Sequence, residues 1–454
     1  MFPSNSITLV NHASVLIKGL DKSILTDPWY WGDAFHKGWS LMHENESIEI
    51  DALLNEASFI WLSHEHPDHF SIPFFKRYKK KIQERGIKVI FQDTRDKRVR
   101  DFLQREDIFV QELAEGLVFN VEERFSISIV KDDFYDSALL VRIGDHKIFN
   151  LNDCHFPEET KIHTFKKRYG DCDVLLTQFS YAAWKGGRDN RPWREAAAHE
   201  KLEGLCWQAK ILNAKIVIPF ASFVRFSNEF NGYLNDAANR PRTVLAACNE
   251  GPYPFNAIFL SPMETILLDQ LEHVKQDPAS VSFWEQKFAE DFTTLKYEKS
   301  INLTELEQKF LAYCQRVEKN NSHLLMMIAS KVPMLEIFNP VVVRLVDSDL
   351  ALRLDIPKRS ITRTKDMPDV ALHSQSLAFI FENAFGFDTL TVNGNFEETS
   401  ANGFARFTKN FAIENLNNLG YRLDFFLLFN FRLISIFLGR LWAVANKLRQ
   451  HPSS

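Results

Sequence analysis

The sequence predicts an α/β protein, a layered arrangement of sheets and helices followed by a C-terminal α+β extension. Three observations carry this. Up to residue 269, strand-like and helix-like segments alternate with hairpins interposed, which argues against a purely parallel sheet. One segment, "ASFIWLS" (57–63), is continuously apolar, as a strand buried on both faces should be, and it stops at a cluster of histidines. After "AIFLSPMETILLD" (257–269) the pattern turns helical and charge-rich, so the chain divides into a domain over 1–272 and a region over 273–454.

The elements follow in order. "ITLVNHASVLIKGLDKSILT" (7–26) alternates short β-branched runs around a Gly-Leu-Asp turn, which predicts a hairpin, and it runs into an aromatic loop, "DPWYWGDAFHKGW". "SIPFFKRYKKKIQERG" reads as a helix capped by Ser71, with Pro73 in its first turn and Gly86 after its last, leading into a strand at 87–91. Strands are expected at 125–130, 138–143, 147–151, 173–179 and 215–220, with a helix near 194–213. Beyond the boundary, 278–331 has helical period, 334–355 alternates as strands, and "IPKRSITRTKDMPD" (356–369) is a polar connector with two prolines.

Composition narrows the function. The chain has 454 residues, 45% of them hydrophobic, enough for two or three domains. Lys+Arg 54 against Asp+Glu 59 leaves a formal charge of −5, and no basic block tracks a phosphate backbone, so nucleic acid is not expected as a partner. "KRYKKK" (76–81) is the solvated face of its helix. The first residues lack a basic region followed by an apolar one, so a cytoplasmic protein is expected. Cys154, Cys172, Cys206, Cys248 and Cys314 are scattered singly, as reduced thiols are. The apolar segment 425–438 is interrupted by Arg432 and falls short of the ~18–20 residues of a membrane span; a packed or interfacial helix is expected.

The chemistry concentrates in "HEHPDH" (64–69), in a chain with only 14 histidines. Imidazoles at i and i+2 on an extended segment point to one side, so His64 and His66 can share one ion. Asp68 and His69, around the turn, can reach a second. Neutral imidazole and carboxylate suit zinc, iron or manganese.

The motif resembles the HxHxDH signature of the metallo-β-lactamase superfamily. "NHASVLIKGLDKSILTDPWYWGDAFHKGW", "NLNDC" and "VIPFASF" are similar, more narrowly, to the branch containing CMP-N-acetylneuraminate hydroxylase, UDP-N-acetylmuramate hydroxylase and the ascorbate-phosphate lactonase-like hydrolases. The resemblance covers roughly residues 5–270. It implies an αββα sandwich with a site for two divalent transition metals, iron or zinc; iron is slightly favoured on account of the oxygen donor described below. It also implies His64 and His66 as ligands of one ion, Asp68 and His69 as ligands of the other, and Asp153, at the end of a strand, as the bridging carboxylate; Asp68 and Asp153 are the catalytic carboxylates. Asp27 in "TDPW" is similar to an aspartate that orients a ligand histidine. His12 and His155 are expected to line the site or stand behind it. Trp29, Trp31, Trp39, Trp184 and Arg188 are expected as pocket walls.

The sequence departs from this pattern in two places. Where relatives carry a third histidine for the first ion, Asp133 stands in "KDDFYDSALL", with Asp132 and Asp136 near enough to compete; an oxygen donor shifts preference toward iron or manganese. Where relatives carry a last histidine after the strand "KIVIPF", this chain offers only Asn228, Asn235 and Asp236. The chain also has neither the CxH nor the CxxH of the Rieske-bearing relatives.

Three functions remain open on this reading. The first is a dinuclear metal-dependent hydrolase acting on an ester, lactone, thioester, amide or phosphoester of a small-molecule or carrier-bound substrate. The second is a non-haem di-iron oxygenase with an external electron-transfer partner. The third is a ligand-binding protein with a degenerate metal site. "SLAFIFENAFGFDTLTVNGNFE" (376–397) resembles sterol-carrier-like domains, and the apolar last helix is expected to cover a lipid-like substrate or form a homodimer seam.

Overall fold

The computed structural model describes residues 2–132, 135–154, 156, 159–249, 255–331, 337–418 and 420–424. Asp133, His155 and the apolar segment 425–438 lie outside the described residues. Two compact units account for the chain: Met1–Lys296 with Thr391–Asn395, and Tyr297–Leu390 with Phe396–Ser454.

The first half of the first unit comprises β1 (Ser6–Asn11), β2 (Ser14–Lys18), β3 (Ser23–Thr26), β4 (Asp33–Ala34), β5 (Trp39–Leu41), α1 (Ser47–Glu56), β6 (Phe59–Trp61), α2 (Ile72–Arg85), β7 (Lys88–Gln92), α3 (Arg98–Arg105) and β8 (Val110–Leu113). The second half comprises β9 (Phe119–Glu122), β10 (Phe125–Lys131), β11 (Ser137–Ile143), β12 (His146–Asn152), α4 (Glu159–Tyr169), β13 (Val174–Gln178), α5 (Arg191–Ile211), β14 (Ile216–Phe220), β15 (Val224–Phe226), α6 (Pro241–Asn249), β16 (Asn256–Ala257), β17 (Thr265–Leu267) and α7 (Pro278–Ala289). Two seven-stranded sheets result, in the orders β17-β1-β2-β3-β6-β7-β8 and β16-β14-β13-β12-β11-β10-β9, with a small sheet β15-β5-β4 beside them.

Period-two alternation explains why the two sheets stack. Ile7, Leu9, Val15, Ile17, Ile24, Trp61 and Ile90 share one core with Ile127, Ile129, Leu139, Val141, Ile148 and Leu175 of the second sheet. Their neighbours Leu16, Leu25, Ile60, Val89 and Phe91 face the other way, into a core with Leu53 and Leu54 of α1 and Phe74, Phe75 and Ile82 of α2. Strands covered on both faces have no polar alternation left to show. Full burial of each such side chain stabilises by about 1.5–3 kcal/mol. α4 and α5 bring Ile162, Phe165, Leu202 and Leu205 to the second sheet. The architecture is the αββα sandwich.

Local signals set the ends of α2. The Ser71 hydroxyl accepts the Phe74 N–H, and Gly86, at φ +65°, takes the left-handed conformation that closes the helix. The predicted hairpin over 7–26 is a three-stranded meander, because His12-Ala13 makes a second tight turn that the pattern of apolar residues hides.

The second unit carries α8 (Leu303–Asn320), α9 (His323–Ala329), β18 (Val341–Leu345), β19 (Leu350–Asp355), β20 (Ser360–Arg363), β21 (Val370–Leu372), α10 (Ser374–Glu382), most of α11 (Gly386–Asn393, whose last three residues belong to the first unit), β22 (Phe396–Glu398), α12 (Gly403–Phe411) and α13 (Ile413–Asn418). Its sheet runs β20-β19-β18-β21-β22. Phe310, Tyr313, Phe381 and Phe411 pack ring to ring in its core. The expected connector at 356–369 contains β20, paired antiparallel to β19 from Asp355↔Ser360 to Leu352↔Arg363. As an edge strand with half-buried and exposed side chains, it has no apolar face to announce it. Among the described residues no helix is long and apolar enough to cross a membrane.

Candidate metal centre

The site gathers where parallel strands end. β3 and β6 lie parallel with Thr26 opposite Trp61, so Asp27 and the 62–70 segment leave the first sheet together. β12, β13 and β14 are parallel neighbours in the second sheet and release Asp153, the segment after Gln178, and Ala221 toward the same end. Carboxyl ends of parallel strands are where α/β folds place their ligands.

Ser63 is the hub of the first sheet's contribution. Its N–H donates to Asp27 Oδ1 at 2.8 Å and its hydroxyl to Asp27 Oδ2 at 2.8 Å. Its carbonyl accepts from Gln92 Nε2 at 3.1 Å and from the Ser137 hydroxyl at 2.6 Å, which ties it to both sheets. The backbone then turns: the N–H groups of His69 and Phe70 both donate to the His66 carbonyl, folding Asp68 and His69 back toward His64.

The candidate ligand atoms converge. His64 Nε2 lies 2.9 Å from His66 Nδ1, and His69 Nε2 lies 3.1 Å from Asp68 Oδ2 and 3.5 Å from Asp153 Oδ2. Asp27 Oδ2 lies 3.1 Å from His69 Nδ1, which sets that nitrogen as the donor and leaves Nε2 as the acceptor. His64 Nδ1 has the Ser63 hydroxyl at 3.0 Å and Asp136 Oδ1 at 3.4 Å. Asn152, at φ +50° where the β12–β13 register shifts, donates to Asp27 Oδ2 and to Ser63 Oγ. Gln178 Nε2 donates to Asp153 Oδ1 at 3.2 Å, and Lys201 Nζ donates to Gln178 Oε1.

Three groups of residues have ligand atoms all within 4.8 Å of one another: His64, His66 and Asp68; His64, His69 and Asp153; and His12, Asp68 and His69. Among the described residues, His12 Nδ1, Asp68 Oδ1 and His69 Nε2 are buried without a hydrogen-bond partner. Buried polar atoms left unpaired are costly, and this donor set of imidazoles and carboxylates fits divalent transition metals.

Charge is organised in the same place. Burial, with His69 and His66 beside it, pushes the His64 imidazole well below its ordinary range. Burial opposes the charged forms of Asp68 and His69 too, yet their mutual attraction wins: Asp68 is held well below the carboxylate range by His69 and His12, and His69 is raised well above by Asp68, Asp153 and Asp27. Asp136 is pushed up to about 7 by burial and by Asp153, and Glu65 to about 7 by burial.

The remaining expected residues have other surroundings. His12 lies 2% exposed with Nε2 3.2 Å from Asp68 Oδ2, and Trp29 stands edge-on to it with ring centroids 5.8 Å apart. Trp31 packs on Phe74 and Tyr78 of α2. Trp184 meets Trp193 edge-on, and Arg188 lies over the Tyr233 ring. Asn228, Asn235 and Asp236 make structural bonds instead: Asn228 Nδ2 donates to the Lys37 carbonyl, Asn235 Nδ2 to the Phe226 carbonyl, and Asp236 pairs with both ends of the Arg194 guanidinium.

Sequence reasoning missed Ser63, Asn152, Gln178 and Lys201, and also a clamp on the aromatic loop. Phe35, His36 and Lys37 are all left-handed, at φ +51°, +52° and +59°. Asn393 Nδ2 donates to the Phe35 carbonyl and Asn231 Nδ2 to the Gly38 carbonyl, which holds this strained turn and sets the Phe35 ring 5.5 Å from His66. A Cβ on Gly38 would meet the Asn393 Cβ at 2.3 Å, so glycine is required there.

The chain is similar to several known proteins. The model of the beta-lactamase superfamily domain matches residues 6–178. The cytidine monophosphate-N-acetylneuraminic acid hydroxylase of Danio rerio is 26% identical over 247 residues, covering 51% of this chain and 40% of that protein. The enzyme of the same name from Asterias rubens is 25% identical over 333 residues, 69% of this chain and 49% of that protein. The chain thus spans less than half the length of these two relatives. Among solved structures, CmlA, a diiron beta-hydroxylase from Streptomyces venezuelae, aligns with a TM-score of 0.40 and 11% identity, covering 59% of this chain and 55% of that one. Residues 6–178 match the beta-lactamase superfamily domain, and the chain is similar to the cytidine monophosphate-N-acetylneuraminic acid hydroxylases.

Proposed function

We propose that the chain is a metal-dependent hydrolase whose two ions, iron or zinc, are held by His64, His66, Asp68, His69 and Asp153. Its substrate is a small-molecule or carrier-bound ester, lactone, thioester, amide or phosphoester. The observation that carries this is the sharing of residues between ligand groups: His64 belongs to the group with His66 and Asp68 and to the group with His69 and Asp153. Five donors in so small a space exceed the roughly three or four protein ligands that a single zinc site takes. When bound, such a pair of divalent ions would polarise a substrate and lower the pKa of a water molecule.

The residues of the chain prepare that centre. Asp27 keeps the His69 proton on Nδ1, and Ser63 and Asn152 hold Asp27 in turn. Gln178 occupies Asp153 Oδ1 and leaves Oδ2 facing His69. The Phe35 ring against His66 and the Trp29 ring against His12 keep water from two sides. Hydrolysis requires nothing beyond these groups, the ions and water.

A second reading, oxygen-dependent hydroxylation, is favoured by the names of the relatives and by the carboxylates Asp136 and Asp153 around the histidines. It requires dioxygen and electrons from a separate donor. The test is turnover of representative esters, lactones, thioesters, amides and phosphoesters by metal-loaded protein, with and without oxygen. Cleavage that proceeds without oxygen and is lost in His64→Ala/His66→Ala supports hydrolysis. Absence of anaerobic cleavage, with oxygen uptake coupled to product formation when a chemical reductant is added, replaces it with hydroxylation.

A further inference from the structure

We propose that His12 is itself a metal ligand, the third protein donor to the ion held by Asp68 and His69. The proposal rests on the dinuclear reading above and adds to it the source of a donor that the segment after β14 does not supply.

His12 occupies the two-residue turn between β1 and β2, and its backbone is fixed on both sides. Its N–H donates to Asn11 Oδ1 at 2.8 Å, and its carbonyl accepts the Ala221 N–H at 2.6 Å. Asn11 is itself held, donating to the His43 carbonyl at 2.7 Å and to Asn45 Oδ1 at 2.9 Å. A side chain anchored this way has little freedom to lose on binding an ion. Ala221, which follows β14 directly, stands in the left-handed region at φ +52°. The end of β14 therefore meets the His12 backbone at the site, and the imidazole there comes from the β1–β2 turn.

The ring is buried and aimed. Nε2 lies 3.2 Å from Asp68 Oδ2, the centroids of the His12 and His69 rings are 5.7 Å apart, and one ligand atom from each of His12, Asp68 and His69 lies within 4.8 Å of the other two. Asp68 Oδ1 and His69 Nε2 are buried with no hydrogen-bond partner among the described residues. Two imidazoles and a carboxylate converging with unpaired atoms form a three-donor set that leaves a position for water or substrate. The competing role, in which His12 only donates a hydrogen bond to orient Asp68, leaves Asp68 Oδ1 without a partner among the described residues.

Two variants of the full chain separate these roles. The protein is stripped with a chelator, titrated with cobalt(II) and followed by absorption and by metal content after dialysis. Wild type takes two equivalents. His12→Gln, which can still donate a hydrogen bond to Asp68, keeps the first equivalent and weakens the second by at least ~100-fold, the upper end of what loss of an orienting partner does. His12→Cys places a thiolate at the same point, retains the second equivalent and gains a thiolate-to-cobalt charge-transfer band that wild type lacks. Where His12→Gln does not fold, that band decides alone. Two equivalents at wild-type affinity in His12→Gln, or no new band in folded, cobalt-loaded His12→Cys, overturns the proposal and leaves the dinuclear reading standing. A wild-type chain that takes no second equivalent overturns both.

Discussion

Asp27 Oδ2 lies 3.1 Å from His69 Nδ1, although the residues are 42 positions apart, and the same carboxylate binds the N–H and hydroxyl of Ser63. This one side chain therefore fixes the tautomer of a candidate ligand imidazole and the strand end that carries the motif. Asp27→Asn keeps the volume but replaces one acceptor oxygen by a donor. Metal affinity should fall by about 10–100-fold, read by competition with a chromophoric chelator. Unchanged affinity would detach Asp27 from the centre.

Lys201 acts on the centre through a neighbour. Its ammonium has only hydrogens to give, so it draws Gln178 Oε1 and turns the amide NH2 toward Asp153. Lys201→Met releases that amide to take either orientation. The expected outcome is a loss of metal affinity of about tenfold with a thermal midpoint near that of wild type. A drop in stability with metal affinity intact would assign Lys201 to packing alone.

In the second unit, Asp347 accepts the Ser374 N–H at 2.9 Å and the Ser374 hydroxyl at 2.6 Å, with its side chain 8% exposed. Burial works against its ionised form, but the hydrogen bonds from Ser374 outweigh this and hold its pKa below the usual value. A lowered folded-state pKa means stability that is present above the unfolded value, about 3.9, and lost as pH falls through the folded one. Asp347→Asn should therefore cost about 1–3 kcal/mol at pH 7, with the gap to wild type closing below about pH 4. Urea midpoints from pH 7 down to pH 3 check this. A gap constant across that range would contradict it.

What the sequence made legible follows from distance along the chain. His64, His66, Asp68 and His69 are near neighbours, and strands buried on both faces leave continuous apolar runs, so motif and sandwich were both readable. Ser63 immediately precedes the first histidine, but nothing local distinguishes a hub serine from a loop serine. Asn152 reaches Ser63 across 89 positions and Asn393 reaches Phe35 across 358, pairings that no window of periodicity contains. β20 was hidden for the opposite reason: its pattern is local, but an exposed edge strand with prolines nearby looks like a connector. His12 was legible as a histidine near the site; the direction of its ring was not.

The most direct measurement is metal stoichiometry. Full-length protein produced with both iron and zinc supplied is analysed for metal per chain, beside His64→Ala/His66→Ala prepared in the same way. Removing two donors from one ion leaves too few to hold it. The result expected is two transition-metal ions per wild-type chain and at least one fewer in the double variant. Fewer than one ion in wild type, or the same content in both, would contradict a dinuclear centre built on His64, His66, Asp68, His69 and Asp153.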